Sequence, residues 1–188
     1  MRKLLVSEMV TLDGFFEGPN REIDWHMVDG DFNDFAIQQL NSVDLLIFGR
    51  VTYQLMVDYW PSPAATTDDP IVADKMNTLP KVVFSNTLKS APWGRWNNAR
   101  LATNSLADEI STLKQQPGKD MVIFGSGTLV AALTQLGLID EYRIFVNPVI
   151  LGSGKPLFGG IDASCKLKLA STNPFKSGVV QLNYSPDK

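Results

Sequence analysis

Apolar residues in this chain fall into short runs separated by polar, glycine-bearing stretches, and the runs alternate between two periods. Lys3–Val10 (KLLVSEMV) and Asp44–Phe48 (DLLIF) are compact segments rich in branched residues, the composition of strands buried on both faces. Lys81–Ser85 (KVVFS) and Met121–Phe124 (MVIF) repeat that pattern, and Arg100–Ala102 predicts a further brief strand. Between them the spacing changes to three and four. Phe32, Phe35, Ala36 and Leu40 predict a helix over Asp31–Ser42, with acidic residues near its start where the helix dipole favours them. Leu55, Met56 and Tyr59 predict another over Thr52–Tyr59, ended by Pro61 and Pro63. A capping box at Ser105–Asp108 opens a third, with Leu106, Ile110 and Leu113 as its apolar stripe. The last runs from about Thr128 to Leu136 and stops at Gly137, the position favoured for a left-handed residue.

Beyond Gly137 only strands are predicted. Tyr142–Ile150 is one, with Pro148 marking an edge or bulge, and Lys166–Ser171 and Val179–Tyr184 alternate as a closing antiparallel pair. Two long connections interrupt the sequence. Thr11–Gly30, with Gly14, Gly18, Pro19 and Gly30, has the length of a binding loop or lid, and Trp93–Trp96 reads as an irregular crossing. Strands and helices alternating over two thirds of the chain, then strands alone, predict an α/β fold with an antiparallel tail, in one domain over residues 1–188.

Composition narrows the chemistry. The 17 basic and 20 acidic residues leave a net charge of −3 without any block of like charge, which argues against nucleic acid and polybasic membrane docking. One cysteine, Cys165, excludes an internal disulfide and a cysteine zinc site, and a single histidine, His26, excludes a multi-histidine metal centre. Ser7, Glu8 and Asp13 interrupt the first apolar patch before it could serve as a signal-peptide core, so a cytoplasmic protein is expected.

Chemistry concentrates where strands turn into helices. Gly125-Ser126-Gly127-Thr128 follows the MVIF strand directly, and a glycine turn opening a helix exposes backbone N–H groups suited to a phosphate. The dinucleotide fingerprint would need a third glycine where Val130 stands, so an ordinary tight turn is the competing reading. Gly49-Arg50-Val51-Thr52 follows the DLLIF strand in the same way, with Arg50 able to pair a phosphate in bidentate fashion. Ser85-Asn86-Thr87 ends a third strand. Such segments at the carboxyl ends of neighbouring strands define the edge at which α/β sheets bind ligands.

Taken in order, Thr11-Leu-Asp13-Gly14, DLLIFGRVTY, KVVFSNT, VIFGSGTLV and GLIDEYRIFVNPVILGSGKPLF resemble the RibD C-terminal and dihydrofolate-reductase-like superfamily from Lys3 to Tyr184. That resemblance implies a three-layer fold, a central mixed but mostly parallel sheet flanked by helices, binding NADPH at its carboxyl edge, commonly as a homodimer. It implies that Gly49, Arg50 and Thr52 hold cofactor phosphates and that Ser85 and Asn86 meet the adenosine end. It further implies that Gly125, Ser126, Gly127, Thr128 and Leu129 take the pyrophosphate. Asp13 and Gly14 match the Leu-Asp-Gly signature beside the nicotinamide and substrate pocket, while Pro148–Gly154 matches the segment that closes the cofactor site.

The resemblance also implies an acid on the first helix. The register places Asn33 at that position with Asp34 beside it, so Asp34 and Asp13 are the candidate proton donors. Trp25 has two readings, a ring stacked on substrate or an apolar anchor for the long loop. Three functions stay open: an NADPH-dependent reductase of a small heteroaromatic, imine-like or pyrimidine/pterin-type substrate, a riboflavin-biosynthesis reductase of the phosphoribosylamino-pyrimidine, and a dinucleotide-binding module without turnover.

Overall fold

A computed structural model describes residues 1–187. Its elements are β1 (Leu4–Thr11), β2 (Phe15–Glu17), α1 (Gly30–Ser42), β3 (Val43–Gly49), α2 (Arg50–Tyr59), α3 (Pro63–Asp68), α4 (Pro70–Thr78) and β4 (Lys81–Phe84). There follow β5 (Ala99–Leu101), α5 (Leu106–Gln115), β6 (Asp120–Ile123), α6 (Gly127–Gln135), β7 (Glu141–Asn147), β8 (Lys155–Pro156), β9 (Leu167–Pro174) and β10 (Val180–Pro186). Eight strands form one sheet in the order β5-β4-β3-β6-β1-β7-β10-β9. The first six are parallel neighbours, and β10 and β9 add the expected antiparallel pair at one edge.

Alternation along the central strands explains their unbroken apolar runs, because both faces are covered. Leu45 and Ile47 of β3 join Leu4 and Val6 of β1 under Ile110 of α5 and Leu133 of α6. Leu46 and Phe48 face the other way with Leu5, under Leu40 of α1, Tyr53 of α2 and Met76 of α4. The result is the three-layer α/β fold expected. A third cluster, Phe145 and Phe175 with Phe32 and Phe35 of α1, extends the second face toward β10.

Three details differ from the sequence expectation. The prolines after α2 do end it, but Pro63 and Pro70 occupy the first turns of α3 and α4, where a missing N–H costs nothing. The long Thr11–Gly30 segment contains β2, which pairs with β8 about 140 residues later. The strand after Gly137 ends at Asn147, just before Pro148. Ser105 caps α5 as expected, accepting from the Asp108 N–H, and Gly137 takes φ +66°. No helix of the described residues is long and apolar enough to cross a membrane.

Candidate active site

The six helices of the described residues divide into two kinds at their amino ends. Asp29, Ser62, Asp69 and Ser105 cap α1, α3, α4 and α5 with side-chain oxygens. The helices α2 and α6 begin at Gly49 and Ser126 with no side-chain cap. Their first N–H groups therefore lack the partner that the other four supply, and the positive end of the dipole stays open at both. These two are the helices that follow β3 and β6, adjacent strands of the sheet.

The two turns also touch. Gly49 N–H donates to the Gly125 carbonyl at 2.9 Å. A Cβ on Gly49 would overlap Ser126, and one on Gly125 would fall 2.5 Å from Thr52 Oγ1, so glycine at both positions lets the turns interlock. Gly125 in addition holds φ +110°, where side-chain-bearing residues are strained. Sequence reasoning placed Gly49, Arg50, Thr52 and Gly125–Leu129 at one site, and the fold brings them together. Thr52 is buried beneath the junction, and Arg50 is half-buried with its guanidinium donating to Gln54 Oε1 at 3.0 Å. Ser85 and Asn86 follow β4, the next strand along, with Ser85 Oγ accepting from the Thr87 and Leu88 N–H groups.

Beside this junction lies a cavity of about 450 Å³, with Thr52 and Ser126 in its wall. It runs between β1, α1 and α2 and under the 15–28 segment, with Met9, Phe35, Leu55, Tyr59 and Trp60 among its apolar lining. Volume and lining fit a small planar ligand. Among the polar residues lining it, Glu8 and His26 are singular. Glu8 is only 4% exposed, its Oε1 has no hydrogen-bond partner, and burial pushes its carboxyl well above the usual carboxylate range. His26 Nε2 is likewise buried without a partner, and desolvation lowers its imidazole to about 4. His26 is therefore neutral near pH 7, and burial biases the Glu8 carboxyl toward its protonated form. Three buried side-chain polar atoms lack partners among the described residues, and two of them line this one cavity.

The remaining candidates stand outside it. Asp13 is exposed at the end of β1, and its carboxylate accepts from the Thr11 hydroxyl at 2.6 Å, Gly152 N at 2.7 Å and Leu151 N at 3.3 Å. Those bonds hold it below the ordinary carboxylate range, the Thr11 hydroxyl contributing most. They tie the 148–154 segment to the start of the long loop, next to Gly14 at φ +85°. Asp34 is exposed on α1. Trp25 is buried, its indole N–H donating to the Glu22 carbonyl at 3.1 Å and its ring edge-on to His26 at 4.4 Å, which matches the anchor reading. Asn147, fully buried, fixes the same loop by accepting from Met27 N at 2.9 Å.

Sequence reasoning missed Glu8. Its signal was a charged residue inside an otherwise buried strand, which the fold makes a cavity wall. Among the described residues no group of acidic, histidine and cysteine side chains could hold a metal ion.

Comparison with known proteins agrees with this architecture. The sequence profile of the RibD C-terminal domain matches residues 2–181. The Bacillus subtilis protein YyaP is 36% identical over 185 residues, covering 97% of this chain and 94% of that one. A Shewanella sp. PV-4 structure described as a riboflavin biosynthesis protein superposes with TM-score 0.77 at 24% identity, covering 99% of both chains. Dihydrofolate reductase from Enterococcus faecalis, complexed with NADP(H), shares the fold with TM-score 0.64 at 15% identity, over 99% of this chain and 97% of that one.

Proposed function

The chain belongs to the RibD C-terminal domain family, and from that premise we propose that it is an NADPH-dependent reductase acting on a small planar nitrogen heterocycle. The observation that carries this reading is the pair of uncapped helix ends. Two amino termini, from helices on adjacent strands, meet through a glycine contact and open beside an apolar cavity. A diphosphate needs clustered N–H donors and positive dipole ends, which is what these turns leave free.

In this reading the N–H groups that open α6, from Gly127 to Leu129, receive the pyrophosphate, with Arg50 and the first turn of α2 beside them. Ser85 and Asn86 lie on the adenosine side. When bound, NADPH supplies a hydride to an electrophilic carbon of the substrate. The apolar residues of the cavity exclude water and strengthen every polar contact made inside it. Phe35 and Trp60 bound the space in which a ring would lie. Burial in the cavity favours the protonated form of the Glu8 carboxyl and screens it from solvent. Asp13 shapes the loop by joining residues 151–152 to the end of β1.

The test is a titration of the protein with NADPH followed by tryptophan emission, repeated on two variants. Ser126→Asp places a carboxylate at the α6 cap, where it satisfies the free N–H groups and repels a phosphate. Affinity should fall at least tenfold in Ser126→Asp and several-fold in Arg50→Ala, with both proteins folded. Saturable binding unaffected by either change would refute the proposed phosphate site.

A further inference from the structure

The cavity says more about its ligand than its size. Its basic side chains, among the described residues that line it, are His26 and Lys155. Burial keeps His26 neutral, and Lys155 Nζ is paired with Glu17 Oε1 at 3.3 Å. The acidic side chains are Glu17, in that pair, and Glu8, whose burial favours the uncharged form. No unpaired positive charge therefore faces a phosphate placed in this space. Its mouth is apolar as well: Ile23 and Val28 on the long loop and Leu55 and Tyr59 on α2 all remain exposed there.

Inside, the two unpartnered atoms are demands that protein groups leave unmet. A buried polar atom without a partner is costly and rare, so one kept in a ligand cavity points to a partner brought by the ligand. A protonated carboxyl offers one O–H donor and one C=O acceptor side by side. Its complement is a ring with an adjacent N–H and carbonyl, the edge of a lactam. The apolar surroundings require the rest of that ring to be uncharged.

We propose that this cavity selects an uncharged, unphosphorylated planar heterocycle whose lactam-type edge pairs with the Glu8 carboxyl, and that it disfavours a phosphoribosyl-bearing pyrimidine. The unpartnered Glu8 Oε1 in the cavity wall, together with the absence of a free cation in the lining, carries this inference. The inference rests on reading the cavity as the substrate pocket. It assigns Glu8 to specificity, at a position on β1 distinct from the candidate acids Asp13 and Asp34.

Calorimetric titrations with three probes test it, each with and without NADP⁺. The probes are quinazolin-4-one, its N3-methyl derivative, which lacks the lactam N–H, and the phosphoribosylamino-pyrimidine. Wild-type protein should bind quinazolin-4-one about tenfold more tightly than the N3-methyl compound, the value of one desolvated hydrogen bond, and at least tenfold more tightly than the phosphorylated pyrimidine. Glu8→Leu should lose the preference for N–H over N-methyl. Glu8→Gln, whose amide keeps a donor and an acceptor, should retain most of it and serves as the folded control. Binding of the phosphorylated pyrimidine as tightly as quinazolin-4-one, an unchanged preference in Glu8→Leu, or no binding of quinazolin-4-one would each overturn the proposal. The NADPH titration separates this from the reductase reading. Saturable NADPH binding with a preference for the phosphorylated probe removes only the present inference. Glu8-dependent binding of quinazolin-4-one without NADPH binding removes only the reductase.

Discussion

Glu8 and His26 make opposite demands on stability, and their opposition gives a quantitative test of how dry the cavity is. Glu8 has its folded value raised, so above about 4.5 the unfolded chain releases a proton that the folded chain keeps. Stability is then lost as pH rises, at about 1.4 kcal/mol per pH unit, until the folded value is passed. His26 has its folded value lowered from 6.5 to about 4, so between those values the unfolded chain binds a proton that the folded chain refuses. Stability then rises with pH at the same slope, by about 3 kcal/mol over the whole window. Above about pH 4.5, while both windows are open, the two slopes oppose each other, and the wild-type protein should show little net change from this pair. Single substitutions unmask each half. The stability of Glu8→Gln relative to wild type should grow by about 1.4 kcal/mol per pH unit as the pH rises above 4.5 and until the folded value of Glu8 is passed. That of His26→Gln relative to wild type should decline over the same range and level off above about 6.5. Urea unfolding followed by fluorescence at a series of pH values measures both. A Glu8→Gln difference that does not vary with pH would mean that Glu8 ionises as freely folded as unfolded, and the account of a desolvated acid would be wrong.

Other substitutions probe the framework. Gly125→Ala should destabilise by about 2–4 kcal/mol, because it strains a positive φ and drives a methyl into Thr52, and thermal unfolding measures this. Ser126→Asp should unfold at the same or a higher temperature than wild type while losing dinucleotide binding, since a capping carboxylate contributes about 1 kcal/mol. Asn147→Ala leaves the Met27 N–H and the Val10 and Phe145 carbonyls without their partner. It should cost about 2–4 kcal/mol, and hydrogen exchange should show the Met27 amide opening first.

Much of this molecule was legible in the residues. The strands announced themselves because burial on both faces leaves no polar alternation, and β1, β3 and β6 lie within a residue or two of the apolar runs. Gly49 and Gly125 stood out as glycines between strand and helix, and the contact between them gives that choice its physical reason. What stayed hidden was non-local. Pairing of β2 with β8 depends on residues about 140 positions apart, and nothing in Phe15–Glu17 alone signals a strand. Pro63 read as a breaker, with Pro61, because a proline that ends one helix and one that begins another look alike in isolation. Glu8 was visible as a charge within a strand, but its meaning required the cavity, which only the packing of α1 and α2 against β1 creates. Asp13, chosen for its place in a motif, uses its carboxylate to join two loops.

The central claim is that the uncapped ends of α2 and α6 form one phosphate site opening on the cavity. Backbone amide resonances recorded during addition of NADPH test it most directly. The N–H signals of Arg50 and Val51 and those of Gly127, Thr128 and Leu129 should shift together and saturate at one concentration, with the amides that open α1 and α5 unmoved. Shifts confined to other parts of the chain, with both turns silent, would contradict the account.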